Sequence, residues 1–276
     1  MLEWRQQRSS KMMSGTLDSG AVGGSADAGG VTPRPSASVM ILRDGRDGIE
    51  VFMLKRSPQL DFSPNYLVFP GGGVDPADES PALLDDYDRS ELLVYQLTAI
   101  REAFEESGFL FAEGDIEPLL RQRVLAAVRR QLLAGEGLFY EEIARKGLQL
   151  TPAQLHPVSH WITPVPAPRR FSTYFFLARQ PSGQEGSHDG MEAVDALWMS
   201  AAQVLALCDR EPSPIMFPTE MNCRWLARFD SVTEALTAAQ SGCELASVTP
   251  RIELRDGARW LTLPADAGYG EVARKL

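Results

Sequence analysis

From Ser36 onward the chain alternates short apolar runs with turn residues. SASVMILR (36–43) and IEVFMLKR (49–56) are rich in large apolar residues, and RDGRDG between them is turn chemistry, so the pattern predicts a β-hairpin. LVFPGG (67–72) predicts a third strand stopped by Pro70 and glycines. Ser80 followed by Pro81 predicts a helix start, a cap and then a proline at the first helical position. Over 91–107, Leu93, Leu97, Ile100 and Phe104 fall on one face of a helix that Gly108 ends. Leu120, Val124, Val128 and Leu132 continue the helical period through 117–150, interrupted by GEG (135–137), with no strand pattern in that stretch. Strand signals return at FSTYFFLA (171–178) and ALWM (196–199). Thr151–Gln154, Ser200–Gln203 and Ser231–Glu234 have the spacing of capping boxes, and RIELRDGARWLTL (251–263) that of an Asp-Gly hairpin.

Strands mixed with helices, without regular alternation, predict an α+β fold. Residues 1–34 are Gly/Ser/Ala-rich and predict a disordered tail, because they offer little apolar surface to offset their ordering entropy. Residues 35–210 form the main domain, with a helical insertion at about 113–156. Residues 211–276 add helices and a hairpin packed on the same domain.

With 27 Lys+Arg against 37 Asp+Glu, the formal charge is −10. That field repels phosphate backbones and disfavours a general nucleic-acid binder, but a cation and a few arginines reverse it locally. No apolar run approaches the ~20 residues that cross a bilayer. The N-terminus lacks the apolar core of a secretory signal, and the C-terminal Arg-Lys-Leu departs from the Ser-Lys-Leu peroxisomal signal, so the expectation is a cytoplasmic chain without a membrane partner. Cys208, Cys223 and Cys243, with His156, His160 and His188, have no zinc spacing.

The chemistry concentrates in Arg101-Glu102-Ala103-Phe104-Glu105-Glu106-Ser107-Gly108-Phe109. Glu102, Glu105 and Glu106 stand at i, i+3 and i+4, on the helix face opposite the stripe that ends in Phe104. Water, Arg101 or a divalent cation must offset their repulsion. Solvation alone accounts for most acidic helix faces. Here a strand and Pro70-Gly71-Gly72-Gly73 lie upstream, and a glycine turn beside an acidic helix lets a pyrophosphate approach closely. Hard cations such as Mg²⁺ take carboxylate oxygens and keep waters for substrate phosphates.

REAFEESGF resembles the second half of the Nudix box, G-x5-E-x7-R-E-U-x-E-E-x-G-U, where U is apolar. Gly73 and Glu79 fit the first half. Between Glu79 and Arg101 stand 21 residues where the box has seven, an excess of 14. This implies a loop inserted before the helix, or else Glu91 or no residue in place of Glu79. The segments RSPQLDFSPNYLVFPGG (56–72), SHWITPVPAPRRFSTYFFLA (159–178), ALWMSAAQVL and PTEMNCRWLARF are similar to the type-19-like Nudix subgroup, whose members also carry an interrupted box. Residues 54–72 also look like the coenzyme A signature, departing from it at Leu60 to Pro64.

The resemblance implies a Nudix fold, a mixed β-sheet sandwiched between helices, here with the helical insertion and the C-terminal extension. It implies Mg²⁺ or Mn²⁺ held by Glu105 and Glu106, with Glu102 completing the cluster, Arg101 holding the glutamates, and the carbonyl of Gly72 or Gly73 as a further ligand. Glu79 would act indirectly at most. A fourth acid is expected from Glu185, Asp189 or Glu192, with Glu192 favoured. Arg56, Ser57, Arg169 and Arg170 are expected to face the substrate, and Phe62, Tyr66 or Phe171 to stack on a base. The implied reaction is hydrolysis of a pyrophosphate in a small nucleotide, coenzyme A or acyl-coenzyme A foremost. The alternatives are ADP-ribose, NADH, a nucleotide sugar or capped RNA, and a nucleotide-sensing Nudix domain without turnover. The insertion suits a cap over the cleft or a homodimer contact.

Overall fold

The computed structural model describes residues 31–46, 48–61, 63–88, 90–242, 247–264, 267–270 and 272–275, the side chains of Pro118 and Leu119 excepted. Residues 1–30 of the tail expected over 1–34, with Phe62 and Cys243, lie outside these. Among the described residues, regular structure begins at Arg34, slightly earlier than the expected strand at Ser36, because Arg34 and Pro35 already pair with Phe171 and Ser172.

The first half of the chain contributes strands β1 (Arg34–Gly45), β2 (Gly48–Arg56), β3 (Leu67–Val68) and β4 (Gly71–Gly73). Helices α1 (Pro81–Leu84) and α2 (Leu93–Ser107) follow. Strand β5 (Ala112–Glu113), helices α3 (Pro118–Leu133) and α4 (Phe139–Arg145), and strand β6 (Gln149–Leu150) make the insertion. Then come β7 (His156–Ile162), β8 (Phe171–Arg179), β9 (Ala193–Ser200), α5 (Ala201–Cys208), α6 (Phe217–Leu226), α7 (Val232–Gln240), β10 (Ser247–Val248), β11 (Arg251–Arg255), β12 (Ala258–Thr262) and β13 (Ala273–Lys275).

Strand-like runs that are apolar on both faces call for a sheet covered on both sides. In β1, Val39 and Ile41 face one core while Met40 and Leu42 face another, and Phe52/Leu54 against Val51/Met53 repeat the alternation in β2. The first core is closed by α2, α3 and α4, the second by α5, α6 and α7. Each large apolar side chain fully buried there contributes roughly 1.5–3 kcal/mol. The result is a mixed sheet of eight strands between two helical layers, ordered β10-β7-β8-β1-β2-β3, with β4 on β1 and β9 on β2. Strands β1 and β8 run parallel and β1 and β2 antiparallel.

Beyond β2, the edge of β1 is shared. Leu42 to Gly45 pair with β2, whereas Ser36 to Ser38 pair with β4. Strand β2 diverges to pair with β9 and β3. A cleft of about 1140 Å³ opens beside the glycines of β4.

The structure corrects several expectations. LVFPGG is two short strands, because Pro70 cannot donate to a ladder. The insertion is not wholly helical, since β5 pairs with β6 and closes its base. Its buried stripe is Leu125, Val128 and Leu132, while Leu120 is exposed. Ser80 makes no side-chain cap, and α1 is a single turn. Of the three capping boxes, only Ser200–Gln203 is complete. Ser231 accepts from Glu234 N, but Glu234 accepts from Asp230 N. Thr151 caps nothing, because the Gln154 amide already bonds the Thr151 carbonyl in a single 3-10 turn. The Asp-Gly hairpin forms as expected, with Asp256 at φ 49° and Gly257 at φ 75°.

Candidate active site

Helix α2 is fixed by its apolar stripe. Leu97, Ile100 and Phe104 are fully buried against the sheet. Gly108 ends the helix at φ 81°, with its N–H on Phe104 O, a conformation that favours glycine. The glutamates therefore face β4.

Arg101 is the most heavily engaged group. Its Nε donates to Asp78 Oδ1 and its Nη2 to Asp78 Oδ2, both at 2.9 Å. Nη1 donates to Glu102 Oε1 at 2.8 Å and lies 3.6 Å from Glu105 Oε2, and Nη2 donates to Gly73 O at 3.1 Å. Burial alone would lower the Arg101 pKa, but the carboxylates of Glu102, Asp78 and Glu105 outweigh it and hold the charge firmly. Asp78 also accepts from Thr98 Oγ1, Asp75 N and Tyr140 Oη. Burial pushes its carboxyl up, and the bonds and charge of Arg101 with the Tyr140 hydroxyl bring it below its ordinary value.

Glu79 does not take this place. It is exposed, and its neighbour Asp78 is the buried acid that anchors Arg101. The additional chain before the helix folds as α1 and its flanking loop, packing Leu83, Leu84 and Tyr87 on the core, and Glu91 stays exposed. The turn Asp75–Asp78, closed by Asp75 N on Asp78 Oδ2, was the available signal.

Glu106 lies on the other side of the helix. Its Oε2 accepts from Gly71 N at 3.0 Å. Burial, then the charges of Glu102 and Glu192, raise its carboxyl well above the ordinary range against the opposing effects of Gly71 N–H and Arg56. The charge of Glu192 is felt at Glu106, and Glu192 lines the cleft with Arg56. Asp189 has another task, accepting the amides of Met191, Glu192 and Ala193. Glu185 is exposed.

The glycines have separate roles. Val39 N donates to Pro70 O and Val74 N to Pro35 O. Antiparallel alternation therefore turns the polar groups of Gly72 toward β1 and those of Gly71 and Gly73 toward the helix. Of the two carbonyls expected at the site, Gly73 is placed there and Gly72 is not. Gly72 contributes its missing side chain, since a Cβ would lie 2.5 Å from Glu102 Oε1.

Substrate-facing candidates separate likewise. Arg56, Tyr66 and Phe171 line the cleft. Ser57 is buried, with its Oγ accepting from Gln59 N and its N–H holding the Glu192 carbonyl, so it positions Glu192. Arg170 is buried as a clamp, donating to Thr163 O at 2.8 Å and Val31 O at 3.0 Å, while Arg169 is exposed beside it. Adjacent residues entering a strand point opposite ways, so the pair cannot serve one site together. His160 is buried between the hydroxyls of Ser172 and Ser247 and stacked on Tyr174, a packing role.

Two residues of the insertion went unforeseen. Tyr140 of α4 donates to Asp78. Arg129 of α3 donates to Glu105 O and Glu106 O, at the end of the glutamate helix.

The oxygen-only donors of this region suit a hard divalent cation. Among the described residues no three acids or histidines already stand as a ligand set, since Glu102 is turned to Arg101 and Glu106 to Gly71. Glu102 and Glu106 stand against the glycine strand with oxygen donors alone, a carboxyl crowding that a cation would offset, and the residues fit one on that ground.

A family model described as the NUDT19 Nudix domain matches residues 88–222, which contain α2, the insertion and β7 to β9 but not the glycine strand. The acyl-coenzyme A diphosphatase NUDT19 of Xenopus laevis is 27% identical over 204 residues, covering 56% of this chain and 54% of that protein. The human protein of the same name is 26% identical over 238 residues, covering 68% and 63%. The chain thus spans between about half and two thirds of these curated relatives. A crystal structure of a Nudix hydrolase from Alicyclobacillus acidocaldarius superposes with a TM-score of 0.62 at 24% identity, covering 75% of this chain and 96% of that one, and shows the shared fold. No helix among the described residues is long and apolar enough to cross a membrane. Glycine strand, arginine-held glutamate helix, fold and family match agree: over residues 88–222 the chain is similar to the Nudix domain of the NUDT19 type.

Proposed function

We propose that the chain is a divalent-metal-dependent pyrophosphohydrolase for a nucleoside diphosphate derivative, with coenzyme A or acyl-coenzyme A as substrate. The products are 3′,5′-ADP and (acyl-)4′-phosphopantetheine. The observation that carries the reading is the junction of buried Glu106 and Glu102 with Gly71–Gly73, Arg56 and Glu192 beside a cleft of about 1140 Å³. That volume is at the upper end for small-molecule sites. The names of the NUDT19 relatives support the coenzyme A assignment.

Glu102, Glu105, Glu106 and Glu192, with the Gly73 carbonyl, would hold Mg²⁺ or Mn²⁺. The bound ion supplies a lowered pKa for the attacking water and charge offset on the phosphates. Arg101 keeps Glu102 and Glu105 in place. The side-chain-free β4 admits the pyrophosphate, and Arg56 meets its negative charge. Water oxygen bonds to one phosphorus, the bridging P–O bond breaks, and the water proton leaves to solvent. Positioning and field supply most of the acceleration.

The test is mass spectrometry of products from the protein with Mg²⁺ and a panel of coenzyme A, acetyl-coenzyme A, ADP-ribose, NADH and a capped dinucleotide, beside Glu105→Gln. The expected result is 3′,5′-ADP with 4′-phosphopantetheine, absent in the variant. Cleavage of other panel members alone would overturn the coenzyme A assignment. No cleavage, with ligand still bound, would favour a sensor.

A further inference from the structure

We propose that Arg129, supplied by the inserted helix α3, is a positioning residue that sets the separation between the two sources of carboxylates in the site. The proposal rests on the reading of that site as a cation-dependent hydrolase. One source is the end of α2, which carries Glu105 and Glu106. The other is the loop before β9, which carries Glu192.

The Arg129 guanidinium bridges the two directly. Its Nε donates to Glu105 O at 3.1 Å and its Nη2 to Glu106 O at 2.7 Å. Its Nη1 donates to Ser187 Oγ and its Nη2 to Ser187 O, both at 2.9 Å. Two residues on from Ser187, Asp189 gathers the amides of Met191, Glu192 and Ala193, so the orientation of Glu192 follows from the placement of this turn. The charge sits at the carbonyl end of α2, where a cation is favoured. A rigid planar fork can meet four acceptors with one orientation, which an ammonium cannot.

Packing leaves Arg129 a defined task. Gln184 already ties the loop to Leu110 through both ends of its amide, and a Cβ at Gly186 would lie 2.3 Å from the Phe109 ring. These contacts hold the start of the loop. Ser187 N–H on Ser107 O and Ser57 N–H on the Glu192 carbonyl also tie the loop, and Arg129, buried with only 9% exposure, fixes Ser187 against the Glu105 and Glu106 carbonyls. A bare surface arginine would not serve, because its entropy and solvation would leave the separation loose. The insertion thereby acquires a role that neither a cap nor a dimer contact demands.

The test compares the parent chain, Arg129→Lys and Ser187→Ala. Lysine keeps the charge and the stem but loses the fork. Activity per folded molecule, measured under Mg²⁺ with coenzyme A, is expected to fall 10- to 100-fold in kcat for Arg129→Lys and a few-fold for Ser187→Ala, with KM nearly unchanged. Mn²⁺ binding, read by electron paramagnetic resonance in the absence of substrate, is expected to weaken in the same order. In a Glu192→Gln background, Arg129→Lys is expected to add much less than it does alone. Equal kcat and Mn²⁺ affinity per folded molecule in Arg129→Lys and parent would overturn the positioning role while leaving the hydrolase reading intact. A full additional loss in the Glu192→Gln background would also overturn it, since Arg129 would then act elsewhere. A parent chain that neither binds Mn²⁺ nor hydrolyses any pyrophosphate overturns both.

Discussion

Two sides of one helix carry their charges differently. On the Arg101 side of α2, charges are matched: guanidinium against Asp78, Glu102 and Glu105, with Thr98 and Tyr140 completing the Asp78 shell. On the Glu106 side they are not. Glu106 is buried and faces Glu102 and Glu192, with one backbone N–H and the more distant Arg56 in opposition. The matched side anchors the helix. The other side crowds carboxyl groups together, and under the proposed function a cation would relieve that crowding.

The largest effect belongs to the matched side. Asp78 and Arg101 are 0% and 4% exposed as side chains, and removing one partner strands the other's charge. Asp78→Asn is expected to cost about 3–5 kcal/mol, measured as the urea midpoint at constant m. The folded Asp78 carboxyl has a lowered pKa, so its contribution is present above its ordinary value of 3.8 and is lost as pH falls through the lower folded value. The variant should therefore lose part of the acid limb of the stability profile. A midpoint within experimental error of the parent would show that Arg101 finds an equal partner elsewhere.

Glu106→Gln should behave in the opposite sense without divalent ions. Its folded pKa is raised, so the stability it contributes is full below the ordinary value of 4.5 and declines as pH rises through the folded value. Glutamine removes that decline, and the ion-free variant should match or exceed the parent in stability at neutral pH. Activity should fall by at least about 100-fold, the upper range for residues that merely support a metal ligand. The parent's thermal stabilisation by Mg²⁺ should shrink in parallel. A variant that is both less stable without ions and equally stabilised by Mg²⁺ would place Glu106 on the structural side of the comparison.

Strands β1, β2, β8 and β9 and helix α2 were legible because their periodicity is local and both faces of β1 and β2 are apolar, whereas β5, β6, β7, β10 and β13 were not expected. The glutamates were legible because i, i+3, i+4 spacing survives in any helix. Asp78 was not, since the additional residues before α2 destroy the spacing that identifies the box acid, and the exposed Glu79 fits the pattern one position away. Arg170 was misplaced because a pair of arginines reads alike in sequence, whereas strand geometry sends one inward to backbone carbonyls. The choice between the Gly72 and Gly73 carbonyls depends on ladder alternation, which composition does not carry. Arg129 and Tyr140 reach the site from a separate helical unit, across sequence separations at which no local pattern speaks.

The smallest effect probes how far the insertion shares in the matched side. Tyr140 Oη donates to Asp78 Oδ1 at 2.5 Å. Burial, then the Asp78 charge, raises the phenol pKa, so the hydroxyl stays a donor at every pH where the protein is folded. Tyr140→Phe keeps the ring, which packs edge-on against Phe139, and removes one bond from an acid that retains Arg101, Thr98 and Asp75. The expected cost is about 1.5 kcal/mol in urea unfolding, that of one hydrogen bond to a charged group. Because Asp78→Asn already removes the charge, the double variant should lose less than the sum of the two. Strict additivity would mean that Tyr140 stabilises α4 by itself, leaving Arg129 as the polar tie between the insertion and the helix beside their shared apolar core.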